Sequence, residues 1–482
     1  MEWKLDPAAL GNEELLAAVL LDRGVITRPE HELVCMQARA IGIPYWRVIL
    51  NLNLCSAEML QAVLAGRQGD RSNSAAASKP GAGLAIRQIL TDALTQADVP
   101  NLVDQTLEQA VLARATDVHL DPVDERKLRV RLRIDGQLHE VLRIPGHMSG
   151  PVVSRIKLLA GLDIVEKRDA QDGHIIVQVA GTSRHIRIAT APTARGERVV
   201  ARIIDQQSAR VGFDELGMEP RHVEIVTRLL HKPYGIVAVT GPVGSGKTTT
   251  LYACLHHLNL PSRNLMTVED PVEYDLPGIN QLQVEQRADW TFPKALRAML
   301  RQDPDVIMVG EIRDNETAQI AVRASLTGGL VLTSMHASDA VGAIGSFRMY
   351  GVPGYLLSQS LLGVVAQRLV RTVSPEAVEE YVPSEAQRRQ LRLEPGERPD
   401  IRLKRGHGSA ADFGTGYRGR TGVFEVLEIT DSLRELVARE STSDDLRNLA
   451  RQEGMQPIVD HAILKVLAGI TTLEEAVQVV LL

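Results

Sequence analysis

The chain has 482 residues, and at roughly 150 residues per domain that length suits about three domains. A formal net charge of −6 and an aromatic content of 3% speak against a nucleic-acid surface, which needs cations for phosphates and rings for bases. The 3 cysteines, Cys35, Cys55 and Cys254, are too scattered for a disulfide or thiolate-zinc framework; they read as small core residues of a reducing compartment. The opening MEWKLDPAAL has no basic segment leading into an apolar one, and no apolar run approaches the ~20 residues that span a bilayer. A cytoplasmic protein, held at a membrane only through others, is expected.

Residues 1–65 read as a small helical unit. Thr27-Arg28-Pro29-Glu30 is a capping box opening a helix, a β-favouring run covers 45–51, and Ser56 can cap a further helix. The stretch GRQGDRSNSAAASKPGAG, 66–83, has no apolar pattern and reads as a flexible linker with a reach of roughly 23 Å. Residues 84–207 form a smaller α/β domain. Helical periodicity covers 84–114, and a strictly alternating strand at 128–134 turns at Asp135-Gly136 into another at 138–144. A second pair follows at 174–179 and 185–190, with a further strand at 197–204. From 208 to 430 the apolar strands 236–240, 265–268, 306–309 and 330–333 alternate with helices at 247–258, 293–302 and 315–327. That rhythm means a mostly parallel sheet buried on both faces. Residues 431–482 read as helices.

The run Gly241-Pro242-Val243-Gly244-Ser245-Gly246-Lys247-Thr248 fits the phosphate-loop pattern, follows an apolar strand and opens a helix. The backbone N–H groups from Gly241 to Thr249 are expected to wrap phosphates, Lys247 to reach the β and γ oxygens, and Thr248 to ligate magnesium. No Asn-Lys-x-Asp guanine reader is present, so ATP and Mg2+ are the expected ligands. In the second phosphate strand, 305–309, Gly310 stands where an aspartate usually sits and Glu311 follows; Glu311 is assigned the role of orienting magnesium-bound water. Glu269, Asp270 and Glu273 lie just past a buried strand, where a base for the attacking water belongs, and spacing does not choose among them. His336 ends the strand at 330–335 and could sense the γ-phosphate, although a lone histidine is more often structural.

GPVGSGKTTTLY (241–252), TVEDPVEY (267–274), LRAMLRQDPDVIMVGEIRD (296–314) and LTSMHASDA (332–340) follow one another as in the secretion ATPase superfamily. These are the hexameric traffic ATPases of type II secretion and type IV pilus assembly. The resemblance extends to ATDVHLDP (115–122), RLRIDGQL (131–138), EKRDAQDG (166–173), RIATAPTARGERVVARI (187–203), TGYRGRTGVFEVLEI (415–429) and LAGITTLEEAVQV (467–479), and covers about 84–482. It implies a RecA-like P-loop domain preceded by the smaller α/β domain, with residues 1–65 as a docking domain. It also implies Glu273 as the catalytic glutamate, Glu311 as the magnesium-water carboxylate and His336 as the His-box histidine. Arg187 would reach from the α/β domain to the nucleotide phosphates. Arg297, Arg301 and Arg313 look like interface or sensor arginines, or else pair with Asp303, Asp305 and Asp314.

Two departures stand out. The positions matching the family's two zinc-binding Cys-x-x-Cys pairs are Ser374, Ala377, Ser409 and Asp412, so no zinc is expected and the Arg- and Glu-rich segment 374–414 is expected to be partly disordered. The family's Gln-Asp-Gly-Arg reads Gln171-Asp172-Gly173-His174, which removes one arginine near the nucleotide. The favoured expectation is a homo-hexameric ATP-hydrolysing motor for type II secretion or type IV pilus assembly. It would sit peripherally on the inner membrane through the cytoplasmic domain of a secretion or pilus protein, bound by residues 1–65, and through a polytopic platform protein, without nucleic acid. The alternatives are a nucleotide-gated scaffold with little turnover, supported by His174 and the missing zinc, and a DNA-uptake or conjugation motor.

Overall fold

The computed structural model describes residues 82–481, apart from short stretches at 97, 125–126, 205–210, 286–288, 377, 395–396 and 410–411, together with His31, Val34, Cys35 and Ile49. The chain divides into two units, Met1–Ser78 and Lys79–Leu482. The expected docking domain, 1–65, and most of the linker, 66–83, lie outside the described residues. The second unit is built around two large sheets, one for each half of its length.

Its first half is a six-stranded antiparallel sheet made of β1 (Asp117–Pro122), β2 (Leu128–Ile134), β3 (Gln137–Ile144), β4 (Gln171–Val179), β5 (Thr182–Thr193) and β6 (Gly196–Ile204), ordered β3-β2-β1-β6-β5-β4. The alternation at 128–134 is visible in the burial pattern: Leu128, Val130, Leu132 and Ile134 point into the core, and the intervening arginines point out. Asp135 and Gly136 both take positive φ, 49° and 87°, as a two-residue hairpin turn requires. Helices Ala82–Thr95, Val99–Leu112 and Gly146–Leu159 cover the apolar face. The helical run at 84–114 thus breaks in two. Val99 and Pro100 start the second helix, capped by Asp98, which accepts from the Asn101 N–H.

β1 was not legible as a strand, yet it is central. Its inward residues Val118 and Leu120 are buried in the core, while Asp117, His119 and Asp121 are equally buried on the other face, roofed by arginines. Asp121 accepts from Arg131 Nε at 2.9 Å and Arg198 Nε at 2.8 Å; Asp117 accepts from Arg202 Nε at 3.0 Å and lies 3.4 Å from Arg133 Nε. Two buried carboxylates on one strand therefore order arginines from both neighbouring strands, through charge-assisted contacts.

The second half holds a seven-stranded sheet: β7 (Gly235–Thr240), β8 (Leu265–Glu269), β9 (Asn280–Gln283), β10 (Val306–Val309), β11 (Leu330–Met335), β12 (Leu361–Val373) and β15 (Tyr417–Glu428), ordered β15-β12-β7-β11-β10-β8-β9. All neighbours run parallel except β15, which is antiparallel to β12. Ile236 and Ala238 enter one hydrophobic core and Val237 and Val239 the other, so β7 is buried on both faces. Burying each of the Ile and Val side chains contributes roughly 1.5–3 kcal/mol.

The segment 374–414 departs from expectation. Its described residues form β13 (Val378–Tyr381) paired with β14 (Leu403–Gly406), and between them the helix Glu385–Gln390 with a full capping box at Ser384 and Gln387. Leu391 and Leu403 enter a small core with Val370, Val423, Ala462 and Val466, and that apolar anchoring outweighs the charged composition. The Asp412 carboxylate accepts from the Ser409 N–H at 2.9 Å, the Ser409 hydroxyl at 3.0 Å and the Gly416 N–H at 3.2 Å. Ser374 N–H reaches Gly416 O at 2.9 Å, so Ser374, Ser409 and Asp412 converge on one hydrogen-bonded knot. Beside it, Phe413 packs on the α/β domain against Gly83 and His139. Asp135 accepts from the Gly419 N–H at 2.9 Å, a second tie between the two halves.

Candidate active site

The phosphate loop leaves the end of β7. Gly241, Gly244 and Gly246 take φ of 155°, 76° and 87°, which only glycine adopts without strain. A Cβ on Gly241 would also lie 2.4 Å from the Gln367 carbonyl oxygen, so the loop passes directly over β12. Lys247 opens the helix Lys247–Leu258 and donates from Nζ to Gly241 O at 2.9 Å and Pro242 O at 3.1 Å. Burial lowers its pKa; the Glu311 carboxylate opposes this and the Arg368 guanidinium adds to it. Pro242, Val243 and Thr248 are exposed at the loop surface, while Ser245 is buried.

The three carboxylates after β8 separate by environment. Glu269 is 3% exposed and bonded on both oxygens: it accepts from Tyr252 Oη at 2.5 Å, Thr267 Oγ1 at 2.5 Å and Gln281 Nε2 at 3.1 Å. Asp270 is exposed. Glu273 is half-buried, and desolvation raises its pKa against the pull of the Arg202 and Arg187 charges. Glu311, past the end of β10, is ion-paired with Arg313, and its Oε2 lies 3.9 Å from His336 Nε2. Lys247, Glu311 and His336 therefore share one rim of the parallel sheet.

Arg187 lies on β5, is 3.4 Å from Asp172 Oδ1, and stands directly across from His174 on β4. Its charge and that of Arg202 both act on Glu273, so the arginine face of the antiparallel sheet is turned toward that carboxylate. Arg202 lies in the motif 187–203 but is not singled out there; it is the strand pairing that sets it opposite Arg187. The pairings considered for the remaining arginines are corrected. Arg297 bonds Glu316 at 2.5 Å and Arg313 bonds Glu311, while Asp305 accepts from the Asn264 N–H and Asp314 caps the helix Asn315–Leu326. Arg301 is exposed.

The family model described as type II/IV secretion system protein matches residues 92–478. The chain belongs to this family. It is 48% identical over 383 residues to a type II secretion system protein E of Pseudomonas aeruginosa, covering 80% of this chain and 76% of that one. It is 45% identical over 391 residues to the type II secretion system ATPase E of Vibrio cholerae, covering 81% and 77%. Among solved structures it superposes on the Legionella pneumophila ATPase DotB with a TM-score of 0.57 at 20% identity, covering 77% of this chain and 93% of that one, a likeness of fold. The family, with the glycine-built phosphate loop on a parallel sheet, makes the chain an ATP-hydrolysing secretion ATPase.

No helix among the described residues is long and apolar enough to cross a membrane. No group of three or more His, Cys, Asp or Glu side chains is placed to hold a metal among the described residues.

Proposed function

We propose that this chain powers type II secretion or type IV pilus assembly as a homo-hexamer, docked at the inner membrane through residues 1–65 on the cytoplasmic domain of a secretion or pilus protein and working against a polytopic platform protein. The observation that carries the reading is Glu273: a partly desolvated carboxylate past the end of β8, under the charges of two arginines from the other sheet.

The division of labour follows from that placement. The loop from Gly241 to Thr249 binds the triphosphate through main-chain N–H groups, and Lys247 turns from its loop carbonyls to the β and γ oxygens. Glu273, its basicity raised by burial, takes the proton of the attacking water. Glu269 is less suited, because it is buried and both its oxygens already accept hydrogen bonds. Arg187 and Arg202 stabilise negative charge on the transferring phosphoryl group. The oxygen donors Thr248 and Glu311 suit magnesium, which when bound would screen the β and γ phosphate charge. His336, beside Glu311, is placed to register whether the γ-phosphate is there. Arg187 and Arg202 sit on one domain and Glu273 on the other, so hydrolysis would loosen the attraction between them and move the two domains.

The test is phosphate release from ATP by the purified protein, titrated over protein concentration, with Lys247→Ala as the blank. Turnover rising more steeply than linearly supports an assembled motor. Nucleotide binding without turnover above the blank would favour the scaffold.

A further inference from the structure

Gln367 sits in β12 immediately after Ala366, the register partner of Thr240 at the end of β7, so it lies beside the point where the phosphate loop begins. It is 1% exposed. Both ends of its amide are used. Nε2 donates to Ser245 O at 2.6 Å, and Oε1 accepts from Thr250 Oγ1 at 2.7 Å. A buried amide committed to two partners is held in one orientation.

The Ser245 carbonyl belongs to the same peptide group as the Gly246 N–H. In a trans peptide the two point in opposite directions. A donor that holds Ser245 O toward β12 therefore turns the Gly246 N–H away from β12 and into the loop. Gly246 has φ 87° and opens the helix with no side-chain cap, so the Gln367 bond supplies a side-chain hold on that peptide plane from outside the loop. The anchor is firm, because the next residue on the strand, Arg368, is itself tied to Ser338 O at 2.6 Å.

We propose that Gln367 is a positioning residue for phosphate binding: it sets the Ser245–Gly246 peptide so that the Gly246 N–H is presented to the nucleotide phosphates. This rests on the phosphate-binding reading of the loop. Gln367 does not touch the nucleotide; it acts through one carbonyl.

The test is calorimetric titration of the full chain with ADP, alongside thermal melting without nucleotide. Gln367→Met keeps the volume and removes the donor; it should weaken ADP binding by about ten-fold, the cost of one misdirected hydrogen bond. Thr250→Val removes the other half of the same buried pair and should leave the ADP affinity within about two-fold, because Ser245 O is still held. A purely structural role predicts that the two variants lose affinity alike. Should Gln367→Met fail to fold, Gln367→Glu decides: it has the same shape, still accepts from Thr250, and sets a carboxylate against Ser245 O. Wild-type affinity in the folded Gln367 variant, or an equal loss in Thr250→Val, overturns the proposal. If the wild type binds ADP no better than Lys247→Ala, the phosphate-binding reading falls instead.

Discussion

The two sheets of the second unit solve the same electrostatic task by opposite means. The parallel sheet is apolar on both faces and offers anions main-chain N–H groups at its rim, freed by Gly241, Gly244 and Gly246, with Lys247 beside them. The antiparallel sheet has one open face and fills it with arginines, of which Arg131, Arg133, Arg198 and Arg202 are steered by the buried aspartates of β1. Main-chain recognition is rigid and cheap to order. Side-chain recognition is mobile until something fixes it, and here Asp117 and Asp121 do the fixing. The difference suits a machine in which one sheet holds the nucleotide and the other approaches it.

The sharpest way to break this contrast is Glu273→Gln, which removes the group lying between the two sheets. It should lower turnover by about 10³-fold with ATP binding kept, measured by phosphate release and by titration. Retained turnover would move the base elsewhere.

A large effect is also expected beside the edge strand β15, where the tilted rings of His222 and His461 lie 4.9 Å apart, with Arg221, Lys465 and Glu219 around them. Burial depresses their pKa to about 4 and about 3. Unfolded, both protonate near pH 6.5, so the unfolded chain binds more protons as pH falls below that value. Stability should therefore drop from about pH 6.5 toward pH 3, the His222 share ending near pH 4 and the His461 share near pH 3. His222→Leu should remove roughly 3 kcal/mol of that dependence, read from urea unfolding at several pH values. An unchanged pH profile would mean the imidazole is not held neutral.

A smaller effect tests the arginine side. Asp121→Asn leaves Arg129, Arg131 and Arg198 without their carboxylate and should cost about 2 kcal/mol in urea unfolding. Turnover should fall while the affinity for ADP holds, because the rigid loop does not depend on that face. Equal loss of both would merge the two modes.

The smallest is Asp412→Ala, expected to cost about 1 kcal/mol by freeing the knot at Ser409 and Gly416. Burial tends to raise the Asp412 pKa, but the N–H groups of Ser409 and Gly416 and the neighbouring hydroxyls outweigh it and hold it low. Its contribution should be present above the ordinary aspartate range and vanish as pH falls through the depressed value. Melting curves across that range check it, and a knot indifferent to acid would refute the assignment.

What was legible in the sequence was what is local. Glycine spacing and a strand-to-helix transition determined the phosphate loop, because positive φ is a property of single residues and the loop is continuous in the chain. Period-two alternation gave β2, and uniform apolarity gave β7, β8, β10 and β11, since each strand's two faces are written in its own residues. β1 and β12 escaped. Asp117, His119 and Asp121 are polar yet buried, and their burial depends on arginines from other strands. Gln367 is a polar residue at the end of an apolar run, explicable only by a loop distant in the chain.

The choice of Glu273 over Glu269 shows the same division at the site. The motif offered both carboxylates and the chemistry of either would do. The resemblance favours Glu273, and the tertiary structure separates the two by environment: Glu269 is buried with both oxygens accepting from Tyr252, Thr267 and Gln281, while Glu273 is partly desolvated under the charges of Arg187 and Arg202. Backbone geometry is fixed by the residue that adopts it; protonation and hydrogen-bond capacity are fixed by neighbours, and neighbours are set by the fold.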